Sequence, residues 1–131
     1  LVTTRGEKKS AVATCVCKNT GAFEIRVNRV PLEIHTDRLM VAKYHEITKL
    51  LGPEILEGLD FDIRTERAST HVGNIYAGRQ AFVRAILAYL SMYSDEYRRQ
   101  EVRNAIMAFD RYAIVTDTRK KEAKKFGGPG A

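Results

Sequence analysis

The sequence has no run of 18 or more apolar residues, so no membrane-spanning helix is expected. It has only two cysteines, Cys15 and Cys17. Two apart in an alternating run, they fall on one face of a strand, where neighbours do not readily meet disulfide geometry. With no charged, apolar and small-residue leader ahead of the domain, they read as reduced thiols of a cytosolic protein. A zinc site is not expected either. Cys15-x-Cys17 has no second pair, and His35, His45 and His71 lack the i, i+4 spacing of a ligand pair, whereas a structural zinc needs four closing ligands. There is no G-x-S-x-G elbow, no signature placing a cysteine beside a histidine and no G-x-x-x-x-G-K-[ST] loop. The expectation is therefore no enzyme, no catalytic residue, no metal, no cofactor and no small-molecule substrate.

Charge is present, and unevenly placed. The chain has 131 residues, 44% of them apolar, and a formal net charge of +6. That length suits one domain, and that apolar fraction is enough for a real core. Residues 1–18 carry Arg5, Lys8, Lys9 and Lys18 against Glu7, and residues 117–131 carry five bases against Asp117 and Glu122. Residues 19–116 hold 13 bases and 13 acids. A neutral body with two basic ends favours a polyanionic partner, because each base laid on a phosphate releases a counterion. The last segment, RKKEAKKFGGPGA (residues 119–131), cannot bury enough apolar surface to offset its own ordering entropy. It is a tail that orders on a polyanion, or a solvated end.

Periodicity predicts an α+β domain. Residues 10–18 (SAVATCVCK) and 22–28 (AFEIRVN), joined by Asn19-Thr20-Gly21, read as a β-hairpin with Phe23, Ile25 and Val27 inward. Residues 31–51 turn helical, with Asp37 as an internal cap and Gly52-Pro53 as the stop. Residues 59–67 alternate again and bury Leu59, Phe61 and Ile63. Helices follow over about 72–93 and from Ser94-Asp95 through about 109, then a short strand over 112–116. The order β-β-α-β-α-α-β layers helices against one sheet.

Several residues invite chemistry. Asp60 and Asp62 share a strand face that could hold a cation, but with Arg64 beside them they describe the solvated side of an amphipathic strand. Tyr89, Tyr93 and Tyr97 stand at i, i+4, i+8; a base-stacking ladder is one reading, the core edge of a helix the favoured one. Arg98, Arg99 and Arg103 lie among acids on a polar helix face. Arg79 sits between Gly78 and Gln80, with Ala77 and Ala81 nearby, where a backbone or a phosphate could come close. It is open between an RNA contact and a salt bridge.

Several segments resemble one family, the small-subunit ribosomal protein numbered nine in bacteria and sixteen in eukaryotic cytoplasmic nomenclature. Residues 5–13 (RGEKKSAVA) are similar to its G-R-K-K-T-A-V-A strand, and 27–33 (VNRVPLE) to V-N-G-R-P-L-E. Residues 74–90 (NIYAGRQAFVRAILAYL) match its long helix, with Arg79 on the characteristic arginine. Residues 110–119 (DRYAIVTDTR) resemble the closing strand, and 124–131 (KKFGGPGA) the eukaryotic tail. The helix near 95–109 is similar to an element of archaeal and eukaryotic members. Departures are Glu7 at a usual base, Arg29 at the glycine of V-N-G, residues 67–70 (RAST) at a lysine and glycine run, and Thr118 at a proline.

The resemblance implies a two-layer α+β domain with one mostly antiparallel sheet packed against helices, like domain two of ribosomal protein S-five. It implies a basic N-terminal arm (1–9), a globular domain (10–118) and a basic, glycine-rich tail (119–131). Such a protein sits in the head of the small subunit of the cytosolic ribosome. Its partners are small-subunit ribosomal RNA and neighbouring ribosomal proteins, and it supports translation near the peptidyl tRNA site. The residues expected on RNA are Arg5, Lys8, Lys9, Arg79, Arg119, Lys120, Lys121, Lys124, Lys125 and Phe126. Family members continue into an arginine-rich end expected to reach peptidyl-site tRNA, and no tRNA-contacting residue is carried over. The rival reading is an off-ribosome RNA-binding protein, or an RNA-processing enzyme using Asp60, Asp62 and Glu66.

Overall fold

One strand organises the molecule: β5 (Leu59–Thr65), whose Leu59, Phe61 and Ile63 are buried on one face while Arg64 is exposed on the other. The structure, a computed structural model, describes residues 1–8, 11–65, 71–93 and 96–114. Its other strands are β1 (Val2–Lys8), β2 (Ala11–Asn19), β3 (Glu24–Val27) and β4 (Val30–Pro31). Its helices are α1 (Arg38–Leu51), α2 (Pro53–Leu56), α3 (His71–Tyr93) and α4 (Glu96–Phe109).

The five strands form one sheet in the order β1-β2-β5-β3-β4. Pairings are antiparallel except β3 with β5, which run parallel. Alternate residues of β2 (Ala11, Ala13, Cys15, Cys17) and of β3 (Ile25, Val27) join the β5 set under α1 and α3. Phe82 of α3 meets Phe61 edge-on at 4.8 Å, and Tyr44 of α1 meets Phe82 at 5.5 Å. All three are buried, and aromatic pairs of this geometry contribute about 0.5–1.5 kcal/mol each beyond their buried area. On α4, Val102 and Ile106 close the far side of the helical layer. The α+β, two-layer expectation holds. Among the described residues no helix is long and apolar enough to cross a membrane.

Small residues set the distances. A Cβ on Gly6 would collide with the Ala77 carbonyl and lie 2.5 Å from Ala81 N, so β1 rests directly on the α3 backbone. A Cβ on Gly78 would collide with the Tyr44 hydroxyl. Polar bonds reinforce the β1 contact: Thr4 Oγ1 donates to Ala81 O at 2.8 Å, and Glu7 N donates to Gln80 Oε1 at 2.7 Å. The boundaries of α1 follow its sequence signals. Asp37 caps it by accepting from Met40 N at 3.2 Å, and Gly52 ends it at φ 83°.

The structure corrects four expectations. Residues 2–8, expected as part of a basic arm, are the edge strand β1, with Val2 and Gly6 facing the helices and Arg5 outward. The hairpin expected between 10–18 and 22–28 is not formed, because β5 lies between β2 and β3. The intervening loop is drawn instead to Gly58, whose carbonyl accepts from Thr20 N and Gly21 N at 3.0 and 3.1 Å. The helical pattern expected from residue 31 begins as β4 and a 3-10 turn, Leu32–Ile34, because Pro31 donates no N–H and pairs at an edge. In place of the start of the final strand, Arg111–Ala113 forms a 3-10 turn. Residues 115–116, and the Ser94-Asp95 restart, lie outside the described residues. Side-chain placement also differs at a few positions. Phe23, expected inward, is 46% exposed, and Tyr93 and Tyr97 are open to solvent rather than core edge.

Candidate nucleic-acid interface

The end of β1, the middle of α1 and the first turns of α3 converge on one phenol ring, Tyr76. Lys8 Nζ stands 6.0 Å from the ring centroid, Lys43 Nζ 5.5 Å and Arg79 Cζ 5.1 Å. Cations gather there because the aromatic face carries negative quadrupole density. Lys43 also pairs with Glu46 at 3.6 Å. The cluster is partly exposed at Lys8, Lys43 and Tyr76 and closed at Arg79.

Arg79 is 3% exposed. Nη1 pairs with Glu46 at 3.5 Å, and Nη2 pairs closely with Asp110 at the end of α4. One guanidinium thus ties α3 to α1 and to the exit of α4. Of the two readings open from the sequence, this geometry supports the salt bridge, since the fork faces two carboxylates and not solvent. The small neighbours Ala77, Gly78 and Ala81 do admit a close approach, but what approaches is Gly6 of β1 and Tyr44 of α1.

Arg5 lies on the outer face of β1, with Nε 3.2 Å from Glu7. Its carbonyl accepts from Arg84 Nη1 at 2.8 Å, and Arg84 Nε and Nη2 both donate to Ile114 O at 3.1 and 2.9 Å. Arg84 therefore clasps β1 and the last described residue side by side. Lys9 and the tail residues Arg119, Lys120, Lys121, Lys124, Lys125 and Phe126 lie outside the described residues. Of the expected RNA-facing set, the structure brings Lys8 and Arg79 to Tyr76 and places Arg5 two α3 turns further along β1.

Periodicity alone did not find Tyr76, Lys43 and Arg84. Arg79 follows Tyr76 by three positions, a spacing that stacks side chains on a helix, but Lys8 and Lys43 arrive from other elements. No local pattern distinguishes Arg84 from a surface arginine.

At the same end of the sheet, Asn28 and Arg29 form the two-residue loop between β3 and β4, both with positive φ (51° and 73°). Such a loop is the hairpin turn in which glycine is favoured at the second position, so Arg29 adopts the conformation glycine would take. Asn28 locks it, donating Nδ2 to Thr65 Oγ1 and accepting from Thr65 N, each at 3.0 Å. The adjoining cleft, about 460 Å³, is lined by Arg29, Arg64, His35 and His71 among others. Asp37 crosses it, accepting from Met40 and meeting His71 Nε2 at 2.8 Å.

The outer sheet face pairs its own charges. Arg26 bridges Glu24 at 3.1 Å and Asp60 at 2.9 Å, and Arg64 meets Asp62 at 3.5 Å. Burial disfavours the charged guanidinium of Arg26, yet its bonds to Asp60 and Glu24 prevail and hold its pKa above the ordinary value. Asp60 and Asp62 are thus engaged by arginines, and Glu66, the third acid of the enzyme reading, lies outside the described residues. Among the described residues, no three His, Cys, Asp or Glu side chains gather to hold a metal ion. Cys15 and Cys17 are free thiols buried under the helices. Burial pushes the Cys17 pKa up to about 11 and that of Cys15 higher still.

Residues 6–131 match the family described as ribosomal protein S9/S16. Three curated relatives carry the name small ribosomal subunit protein uS9. The Caenorhabditis elegans protein is 42% identical over 99% of this chain and 89% of its own length. The Neurospora crassa protein is 39% identical over 96% and 87%, and the Dictyostelium discoideum protein 38% identical over 100% and 88%. With strands β2 to β5, the long helix and the tail all inside the matched span, the chain belongs to the ribosomal protein S9/S16 family.

Proposed function

We propose that this chain is a structural constituent of the small subunit of the cytosolic ribosome and binds ribosomal RNA electrostatically, without catalysis. Family membership supplies the class. The observation that carries the mechanism is the Arg84 clasp, which holds Arg5 of β1 against Ile114. It holds Arg5 beside Ile114, which precedes the C-terminal basic stretch in the sequence, two α3 turns from the Lys8–Tyr76–Lys43 cluster. The basic residues there and beyond, Arg5, Lys8, Lys9, Lys43, Arg119, Lys120, Lys121, Lys124 and Lys125, neutralise crowded phosphates, and Phe126 stacks on a base or anchors the tail. Arg79 is left out of this set and assigned to the fold. Ribosomal RNA and neighbouring ribosomal proteins are the partners. No residue of this chain is assigned to peptidyl-site tRNA.

Two measurements test this. The native protein should travel with small subunits through a gradient at moderate salt; absence from that fraction refutes the assignment. Deleting residues 119–131 should weaken RNA binding and flatten the dependence of log K on log salt by about 0.7–0.9 for each phosphate no longer neutralised. An unchanged slope refutes the role given to the tail.

A further inference from the structure

The opposite end of the sheet has a different chemistry. There α1 ends, α2 turns, and β3 and β5 begin; β5 spans seven residues, so this end lies roughly 20 Å from the Arg29–Arg64 end. A groove of about 620 Å³ opens there, lined by Phe23, Leu56, Lys49, Glu54 and Glu57 among others. Its floor is apolar. Phe23 is 46% exposed yet held in place edge-on to Phe61, with centroids 6.5 Å apart. A second groove, about 460 Å³, lies across α2 and shares Glu54, adding Arg98 and Glu101.

The acids around these grooves differ from those elsewhere. Glu7, Glu24, Asp37, Glu46, Asp60, Asp62, Glu96 and Asp110 each have a basic partner. Glu33, Glu54, Glu57 and Glu101 have no ion-pair partner among the described residues, and three of these four flank α2. In a chain of net charge +6, the carboxylates without an ion-pair partner among the described residues thus collect mainly around exposed apolar surface and away from the cationic flank.

We propose that the groove between Phe23 and α2 is a docking site for a lysine- and arginine-rich segment of a neighbouring polypeptide. The aliphatic stem of a lysine or arginine fits over the Phe23 ring, while its charged head reaches Glu54 or Glu57. RNA does not suit this surface, since phosphates would meet unneutralised carboxylates. The proposal commits to another polypeptide, because this chain's own basic tail is assigned above to RNA.

Carbodiimide cross-linking of native small subunits tests it, because the reagent joins a carboxylate to a lysine amine only in ion-pair contact. The expected product joins Glu54 or Glu57 to a lysine of another protein. Products only with this chain's own lysines overturn the proposal. Because an arginine would escape the reagent, a second arm replaces Glu54→Lys and Glu57→Lys together in assembled subunits, which are then washed with rising salt. The expected result is loss of one neighbouring protein at lower salt than from the parent, with this chain retained. Unchanged protein composition, together with no intermolecular cross-link, overturns the proposal. Loss of this chain itself would count instead against the RNA-anchoring reading.

Discussion

Replacing Arg79 with alanine separates a fold role from an RNA role at the residue where the sequence left both open. The side chain is 3% exposed, whereas Glu46 and Asp110 are 37% and 31% exposed at their side chains. Removing one partner of a fully buried ion pair costs about 3–5 kcal/mol, because the other charge is stranded. Here water reaches both acids and screens them, which argues for the lower part of that range or a little below, about 2–3 kcal/mol. The loss also frees α1 and the end of α4 from α3 and empties the space beside Tyr76. For a domain of this size, 1 kcal/mol shifts the melting temperature by roughly 3–5 °C, so Arg79→Ala should melt roughly 6–15 °C lower.

Urea unfolding of the free protein by circular dichroism measures this, with Arg79→Lys as the control. Lysine keeps the charge but not the fork that serves two carboxylates, so an intermediate loss is expected. RNA binding, measured well below the variant's melting temperature, should keep its parental salt slope. A variant within about 0.5 kcal/mol of the parent, whose salt slope falls by about 0.7–0.9, would refute the reasoning and return Arg79 to the RNA-binding set.

Gly6→Ala should cost about 2–3 kcal/mol by urea midpoint, because the new methyl meets backbone atoms of Ala77 and Ala81 that cannot move without parting β1 from α3; a variant as stable as the parent would show that β1 is not seated as described. Arg29→Gly should stabilise by roughly 1 kcal/mol, relieving a positive φ that costs an ordinary side chain about that much, and a lower melting temperature would contradict it. Stability should also fall as pH rises above about 9. Burial keeps the Cys15 and Cys17 thiols protonated in the folded state, with Cys17 held at about 11, whereas in the unfolded chain they ionise at the ordinary value of 9.0. The unfolded state then binds fewer protons, so this contribution is complete below that pH and lost above it. Between pH 8 and pH 10 the two thiols together should lose about 2–4 kcal/mol, with a shallower fall in Cys15→Ala; a flat profile would rule the thiols out.

Much of the fold was legible where the physics is local. Alternation at Leu59, Phe61 and Ile63 marked the buried face of β5, and Asp37 and Gly52 bounded α1 through backbone groups a few residues away. Sheet order was not legible in this way. β2 and β3 are adjacent in sequence and joined by turn-like residues, which favours a hairpin at low loop-closure cost. β5 displaces that pairing because it brings Phe61 between the two strands' inward residues and against Phe82, a gain no window spanning both strands contains. β1 was hidden for another reason. Its charges Arg5 and Glu7 lie on the outer face, Lys8 ends it, and its inner face is otherwise Val2, Thr4 and Gly6, too small to read as a core stripe. Glycine within a strand is nevertheless a signal of close backbone approach, and the small residues Ala77, Gly78 and Ala81 of α3 are the matching half of that contact.

The candidate site shows the same division between charge and contact. Net charge located the basic stretches, because charge sums along a sequence irrespective of fold. It could not separate Lys8 from Arg79, which both approach the Tyr76 ring. They differ because Asp110, 31 residues from Arg79, turns back to meet it, whereas Lys8 stays part-exposed at the end of an edge strand. An arginine in a basic protein is therefore assigned to RNA or to the fold by which acids the chain returns to it. The same test, applied to carboxylates, sets Glu54 and Glu57 apart. Among the described residues most acids meet a base, and those that do not, beside an exposed aromatic ring, mark where a cation from another polypeptide is expected.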